Sequence, residues 1–235
     1  MFFDPVYLVI LGTIMLLSWI VSSRLKRKFK KYSNIGLSIG LSGKEVAELM
    51  LRDNGLMDVT VESVQGRLTD HYNPLDKTVN LSPDVYAGRS VAAAAIAAHE
   101  CGHAVQHAKA YRPLEMRSAL VPLQNASARI LNMVFMAMIF GAFLLPNILP
   151  FSTAILVIIG AYSVFTAFAF ITLPVEFDAS KRALAWINER KIVNGEEHRM
   201  AKDALNAAAQ TYVIAALGSL MMLLYYVSLF LGSRD

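Results

Sequence analysis

The 235-residue sequence predicts a mainly α-helical integral membrane protein, with four transmembrane helices and a small cytoplasmic α+β unit. Charged residues make up only 17% of the chain, against about 25% in a typical soluble domain. Apolar residues are gathered in blocks, and residues 5–23, 130–175 and 204–233 contain no charged side chain. The basic residues lie almost entirely between these blocks. This composition excludes a highly charged disordered chain, and the single cysteine excludes a disulfide-stapled secreted module.

The three charge-free stretches predict four membrane-spanning helices. About 20 apolar residues are needed to cross the core of a bilayer, so the first and last stretches hold one span each, in segments 1–23 and 212–235. The middle stretch is too long for one helix, and Pro146 and Pro150 interrupt it near its centre. We therefore expect a transmembrane hairpin over residues 130–173, with spans at 130–145 and 151–173.

Basic residues predict the orientation of the chain. No basic side chain precedes the first span, which indicates a signal anchor with its N-terminus outside rather than a cleavable signal peptide. Segments 24–129 and 174–211 then lie in the cytoplasm. The basic cluster explains the net charge of +4 as a topology signal at anionic headgroups, and without interleaved aromatic residues beyond Phe29 it does not indicate nucleic-acid binding. The residues that follow the span directly are Arg24, Lys26, Arg27, Lys28, Lys30 and Lys31.

The first cytoplasmic segment predicts a compact unit of helices and short strands. Ser42 and Glu45 have the spacing of a capping box, and a helix should run from there to Asn54-Gly55. Alternating residues predict two or three short strands, with strands at 59–64 and 78–82. The strand at 78–82 could pair with an extended substrate, as edge strands do. Residues 70–74 are expected to form a turn. Ser90 then caps an alanine-rich helix that should be buried.

This helix continues into the H-E-x-x-H pattern of His99-Glu100-Cys101-Gly102-His103. Residues four apart share a helix face, so the imidazoles of His99 and His103 can reach one zinc ion. Glu100 lies to the side, where it can take a proton from water and pass it to a leaving amine. Burying these groups without partners would be costly, so we favour one zinc site over a pair of hydrogen-bonded core histidines.

A catalytic zinc usually has three protein ligands, so a third must be found. His107 continues the i+4 series but lies about 80° around the helix from His99. Glu176 follows the third span directly, and the predicted hairpin returns the chain to the side where His99 lies. We therefore favour Glu176 as the third ligand, with Asp178 as its rival. The alternative is that both acids only cap the end of a membrane helix.

The motifs resemble those of the integral-membrane gluzincins, which include the CAAX-processing protease and the bacterial heat-shock protease HtpX. More closely, residues 68–74, 81–83 and 97–106 resemble the YugP-type bacterial membrane zinc metallopeptidases, a similarity that covers residues 42–212. The resemblance implies that His99, His103 and Glu176 bind zinc and that Glu100 is the general base. Gluzincins usually have an aspartate four residues after the ligand glutamate, where it orients a ligand histidine. Ser180 stands there instead, so we expect the histidines to be held differently.

Other side chains have both functional and structural interpretations. Tyr212 and His198 are possible stabilisers of an oxyanion, although an interfacial tyrosine and an exposed histidine are also common. His71 could border the cleft, or be an ordinary loop histidine. Cys101 is expected to be a small apolar filler rather than a reactive thiol.

Together these features predict a membrane-embedded zinc endopeptidase of a bacterial plasma membrane, with its active site at the cytoplasmic face. Its partners would be a protein or peptide substrate and the lipid bilayer, and the sequence does not indicate an oligomeric state. The alternative function is a zinc-bearing membrane scaffold or adaptor that cuts no peptide. A closed fourth ligand such as His107 or Asp178 would favour the scaffold.

Overall fold

The computed structural model describes residues 4–144 and 150–232, and most of them are helical. Contacts divide the chain into two compact units, one built from the chain up to Trp19, Met116–Thr172 and the chain from Tyr212, and the other from Ile20–Glu115 and Leu173–Thr211. The elements in chain order are α1 (Pro5–Ser33), α2 (Gly43–Asp53), β1 (Thr60–Ser63), β2 (His71–Asn73), β3 (Thr78–Leu81), α3 (Pro83–Tyr86), α4 (Val91–Ala108), α5 (Arg112–Leu144), α6 (Phe151–Glu189) and α7 (Gly195–Gly232).

Three helices of the described residues are long and apolar enough to cross a membrane, namely Pro5–Ser33, Ser152–Glu189 and Gly195–Gly232. They overlap the predicted first, third and fourth spans. The described part of the predicted second span, residues 130–144, belongs to α5, which is not among the three candidate helices found in the described residues. The predicted turn between the hairpin spans covers residues 146–150, of which all but Pro150 lie outside the described residues. Four spans therefore remain a prediction.

The first unit has an apolar core rich in aromatic rings. The Tyr226 ring is fully buried and stacks on Tyr162, with ring centroids 5.3 Å apart. Tyr225 donates a hydrogen bond to Asp4, with 2.8 Å between the oxygens. The buried residues of this core are Leu131, Val134, Ala154, Ile158, Ala161, Met222, Tyr225 and Tyr226.

The second unit is organised around α4, whose N-terminal half consists almost wholly of alanine. The Ser90 hydroxyl accepts a hydrogen bond from the Ala93 amide, which confirms the predicted N-cap. Small side chains let neighbouring backbones approach closely, and α2 packs on α4 with Val46 and Ala47 fully buried. The capping box of α2 is also present, because Ser42 and Glu45 each accept a hydrogen bond from the other's backbone amide.

The sheet of the second unit has three strands in the order β1-β3-β2. β3 pairs in parallel with β1 and antiparallel with β2, and its side chains are buried throughout. The expectation of an edge strand at residues 78–82 is therefore wrong, since β3 is the middle strand.

The expected turn at residues 70–74 is also wrong for its central part, because His71–Asn73 form β2. Asp70 accepts hydrogen bonds from the backbone and side chain of Ser82, which holds the start of β2 against the end of β3. The turn itself begins at Asn73, whose side chain donates to Asp76. Polar turn-forming residues thus form a strand here because a partner strand supplies the hydrogen bonds.

Candidate metal centre

Helix α4 carries the two histidines of the H-E-x-x-H pattern on one face. The rings of His99 and His103 lie edge to face, with centroids 4.8 Å apart. Both side chains are nearly enclosed, His99 being 13% exposed and His103 10%. Glu100, which follows His99 directly along the helix, is also buried. The helix therefore presents two imidazoles and one carboxyl group in a largely enclosed place.

Helix α6 brings Glu176 to the same place. Its Oε2 atom lies 3.4 Å from His99 Nε2 and 3.7 Å from His103 Nε2. The approach of the two helices depends on Gly102, because a Cβ atom there would lie only 2.6 Å from the carbonyl oxygen of Ala179. α6 does not end at residue 173, as the predicted span does, but continues to Glu189 and so holds Glu176 within the same helix.

The ligand atoms of His99, His103 and Glu176 all lie within 4.8 Å of one another, and they form the group of possible metal ligands found among the described residues. Two imidazoles and one carboxylate are the donor set of many catalytic zinc sites. Tetrahedral zinc with bonds of about 2.0–2.1 Å separates its ligand atoms by about 3.3–3.4 Å. The observed histidine–glutamate distances are close to this value, so these residues fit the metal.

The electrostatics of the group also favour a cation. Burial acts to raise the pKa of Glu176, but the neighbouring imidazoles of His103 and His99 outweigh burial and hold this pKa well below its usual range. Burial acts to lower the pKa of His103, whereas the nearby carboxylates of Glu176 and Glu100 raise it above its usual value. A charged carboxylate therefore faces two imidazole nitrogens.

Ser180 lies beside one of the two histidines. It stands four residues after Glu176, and its Oγ atom lies 3.1 Å from His99 Nδ1. A neutral hydroxyl thus contacts His99 from the sequence position at which the resemblance implies an aspartate. His103 has a different partner, Gln106, whose Oε1 lies 3.0 Å from His103 Nδ1.

Gln106 is the residue that reasoning from the sequence missed. It is fully buried and donates to Val175 O and to Asp178 Oδ2, both at 2.8 Å. Its signal in the sequence is a polar residue three positions after His103, on a helix predicted to be buried. That signal gives no indication of the partner, because Asp178 lies 72 residues away along the chain.

The rival ligands lie in other environments. Asp178 accepts hydrogen bonds from Gln106 and from Arg182 Nε, the latter at 2.6 Å, and does not belong to the three-residue group. His107 Nδ1 lies 2.8 Å from the hydroxyl of Tyr72, on the wall of a separate cavity of about 280 Å³. These contacts favour Glu176 over both alternatives as the third ligand.

The other residues singled out in the sequence do not belong to the three-residue group of possible metal ligands. His71 lies in β2, with its ring nitrogens near Thr69 O and Asn80 Nδ2. His198 is half-buried in the first turns of α7, and Tyr212 belongs to the first unit, further along the same helix. Cys101 is fully buried, and burial raises its pKa well above the usual value, which agrees with an inert filler.

Comparisons with known proteins also indicate a zinc peptidase. A family model described as "Putative neutral zinc metallopeptidase" matches residues 7–231. The chain is 41% identical over 219 residues to "Putative membrane protease YugP" of Bacillus subtilis (strain 168), a match that covers 93% of this chain and 94% of the relative. No solved structure matches the chain significantly. The resemblance drawn from the sequence motifs is thereby confirmed.

Proposed function

The chain belongs to the zinc metallopeptidase family whose model it matches, and we propose that it is a membrane-embedded zinc endopeptidase. In this proposal His99, His103 and Glu176 hold one zinc ion, and Glu100 is the general base. The observation that carries the proposal is the convergence of three ligand atoms within 4.8 Å, two from α4 and one from α6. An enclosed group of this composition is typical of a catalytic zinc site with three protein ligands.

Each residue would have a defined part in peptide hydrolysis. Zinc, when bound, supplies a Lewis acid that polarises the scissile carbonyl and lowers the pKa of water to about 7. The Glu100 carboxylate would take the proton of the attacking water and then give it to the leaving amine. Its burial supports this role, because excluding bulk water strengthens the interactions of a charged group with the reacting atoms. Tyr212 and His198 remain our candidates for stabilising the oxyanion.

The environment of the rival ligands supports an enzyme over a metal-bearing scaffold. A scaffold would be expected to close the fourth coordination position with a protein ligand. His107 and Asp178, the two residues available for that role, are engaged with Tyr72 and with Gln106 and Arg182. Among the described residues no fourth His, Cys, Asp or Glu joins the group, which supports an enzyme that binds water and substrate there.

We further propose that the site faces the cytoplasm of a bacterial cell, in a multi-pass protein of the plasma membrane. The proposed order is a signal anchor (1–23), a cytoplasmic region (24–129), a transmembrane hairpin (130–173), a second cytoplasmic region (174–211) and a final span (212–235). The cluster of basic residues after the first span supports this orientation. The second compact unit, Ile20–Glu115 with Leu173–Thr211, corresponds closely to the two cytoplasmic regions together.

Glu100→Gln tests the function, because it removes the base and keeps the size of the side chain. Wild type and variant are purified in detergent, their zinc content is measured, and cleavage of labelled casein is followed. We expect unchanged zinc content and a rate that falls by at least about 100-fold, as for loss of a general base. Glu189→Gln, an exposed glutamate on α6, is the matched control and should keep full activity.

The outcomes separate the proposals. Undiminished cleavage by Glu100→Gln would refute the role of Glu100. A wild-type protein that binds no zinc would refute the metal site, and stoichiometric zinc without cleavage of any unfolded protein would favour the scaffold. Protease accessibility of residues 24–129 in sealed, oriented vesicles tests the cytoplasmic placement independently.

A further inference from the structure

The side-chain amide of Gln106 has an orientation that its surroundings determine. Gln106 is fully buried, and its Nε2 lies 2.8 Å from both Val175 O and Asp178 Oδ2. A backbone carbonyl and a carboxylate only accept hydrogen bonds, so the group that faces them must be the NH₂ group. The reversed amide would place three oxygens together and leave buried acceptors without donors, which costs about 1–3 kcal/mol for each unsatisfied group.

This orientation leaves Oε1 of Gln106 facing His103, 3.0 Å from Nδ1. An amide oxygen can only accept, so the proton of a neutral His103 ring must be on Nδ1. Nε2 then carries the lone pair, and Nε2 is also the atom that lies 3.7 Å from Glu176 Oε2, within the proposed metal site. A metal binds the unprotonated nitrogen of imidazole.

We propose that Gln106 is a positioning residue, which holds His103 in the tautomer with the proton on Nδ1 and so presents Nε2 to the metal. The proposal rests on the proposed function only in taking His103 as a metal ligand. Gln106 acts through His103 and touches neither the metal nor the substrate.

Asp178 and Arg182 support the amide from the other side. Arg182 Nε donates to the same Oδ2 atom that accepts from Gln106, at 2.6 Å, so the negative charge of Asp178 is paired. The Arg182 guanidinium lies over the ring of Tyr111, 5.9 Å from its centroid, just beyond the end of α4. Asp178 thus has a role in the site without being a ligand, because it holds the donor side of Gln106.

The partner of His99 gives no such constraint. The Ser180 hydroxyl, 3.1 Å from His99 Nδ1, can donate or accept a hydrogen bond by rotating. Either tautomer of His99 is therefore compatible with Ser180. The two histidines consequently differ, and the tautomer of His103 should be the more sensitive to removal of its partner.

Two variants at Gln106 separate the hydrogen bond from packing. Gln106→Met keeps an unbranched side chain of similar length but offers His103 no oxygen. Gln106→Glu keeps an oxygen that accepts from His103 Nδ1 and, as the protonated acid, donates from its other oxygen to one of the acceptors that the Gln106 amide faces. Gln65→Met, at an exposed loop position, is the matched control for the methionine substitution.

The test measures tautomer and zinc affinity separately. Long-range ¹H–¹⁵N spectra of ¹⁵N-histidine-labelled, metal-free protein report the protonated nitrogen of neutral His103, assigned among five histidines with a His103→Gln variant. Wild type and Gln106→Glu should show the Nδ1–H form, and Gln106→Met should shift towards the Nε2–H form. Competition with a chromogenic chelator should show zinc binding weakened roughly 10–100-fold in Gln106→Met, with wild-type affinity in Gln65→Met.

An Nε2–H tautomer of His103 in the wild type would overturn the inference, whatever the variants do. It would also be overturned if Gln106→Met bound zinc as tightly as the wild type. Should Gln106→Met fail to fold, the wild-type and Gln106→Glu tautomers still decide the matter. If the wild type binds no zinc, the proposed function fails, while the tautomer in metal-free protein still tests the role of Gln106.

Discussion

Gly102→Ala is expected to damage the metal site more than it damages the fold. The new methyl group would lie 2.6 Å from the carbonyl oxygen of Ala179 and 3.1 Å from its Cα and carbonyl carbon. Carbon and oxygen atoms pack at about 3.4 Å or more, so the backbones of α4 and α6 must separate by about 0.8 Å at this point. Backbone cannot rotate away as a side chain can, and the strain must therefore move a helix.

The separation of α4 from α6 would occur beside the proposed metal ligands. Gly102 directly precedes His103, and Ala179 is three residues after Glu176. The two histidine–glutamate distances, 3.4 and 3.7 Å, would both increase beyond 4 Å if the ligand atoms moved apart as far as the two backbones. A misplacement of about 1 Å costs roughly 100-fold in catalysis. Overpacking costs about 1–3 kcal/mol, of which the better helix propensity of alanine offsets about 1 kcal/mol.

The assay compares zinc affinity, casein cleavage and thermal unfolding of the wild type and Gly102→Ala in the same detergent. Gly195→Ala is the matched control, because a Cβ there meets no atom within 4 Å. We expect Gly102→Ala to stay folded with weakened zinc binding and a rate about 100-fold lower. Wild-type zinc affinity and activity in this variant would refute the argument that the close contact of α4 with α6 sets the ligand distances.

Three further predictions concern pH, a cap and a rejected ligand. Glu176 raises the pKa of His103, and zinc must displace the proton of this ring to bind it. The apparent zinc affinity should therefore rise as the pH increases through that raised pKa. A pH-independent affinity in chelator titrations would contradict this. Ser42→Ala should lower stability by about 1 kcal/mol in thermal melts, because α2 loses its N-cap, whereas Ser42→Asp should retain most of it. His107→Gln should keep wild-type zinc content by metal analysis, and loss of zinc would return His107 to the ligand set.

Local patterns predicted the parts of the site that depend on neighbouring residues. The cap at Ser90 and the helical spacing of His99 and His103 could be predicted because helix geometry places residues four apart on one face. Glu176 was predicted as the third ligand by a topological argument, from the number of spans between it and α4, although that number remains a prediction.

Features that depend on distant partners escaped prediction. β2 consists of three residues with turn-forming neighbours, and it is a strand because β3 supplies its hydrogen bonds. Gln106 has the same difficulty, since its amide acquires a direction only from Val175 and Asp178 on another helix. Short-range patterns contain no information about such partners. For this reason neither the edge strand β2 nor the contact of Gln106 with His103 could be predicted.

The length of α6 has a consequence for where a substrate can be cut. From Phe151 to Glu176 the helix rises roughly 38 Å at 1.5 Å per residue, which exceeds the roughly 30 Å hydrocarbon core of a bilayer. If α6 crosses the bilayer upright, the number of residues before Glu176 places its carboxylate at the depth of the lipid headgroups. A peptide bond would then be within reach only in a segment lying close to the membrane surface, and the distance from the bilayer would select substrates before any side chain is recognised.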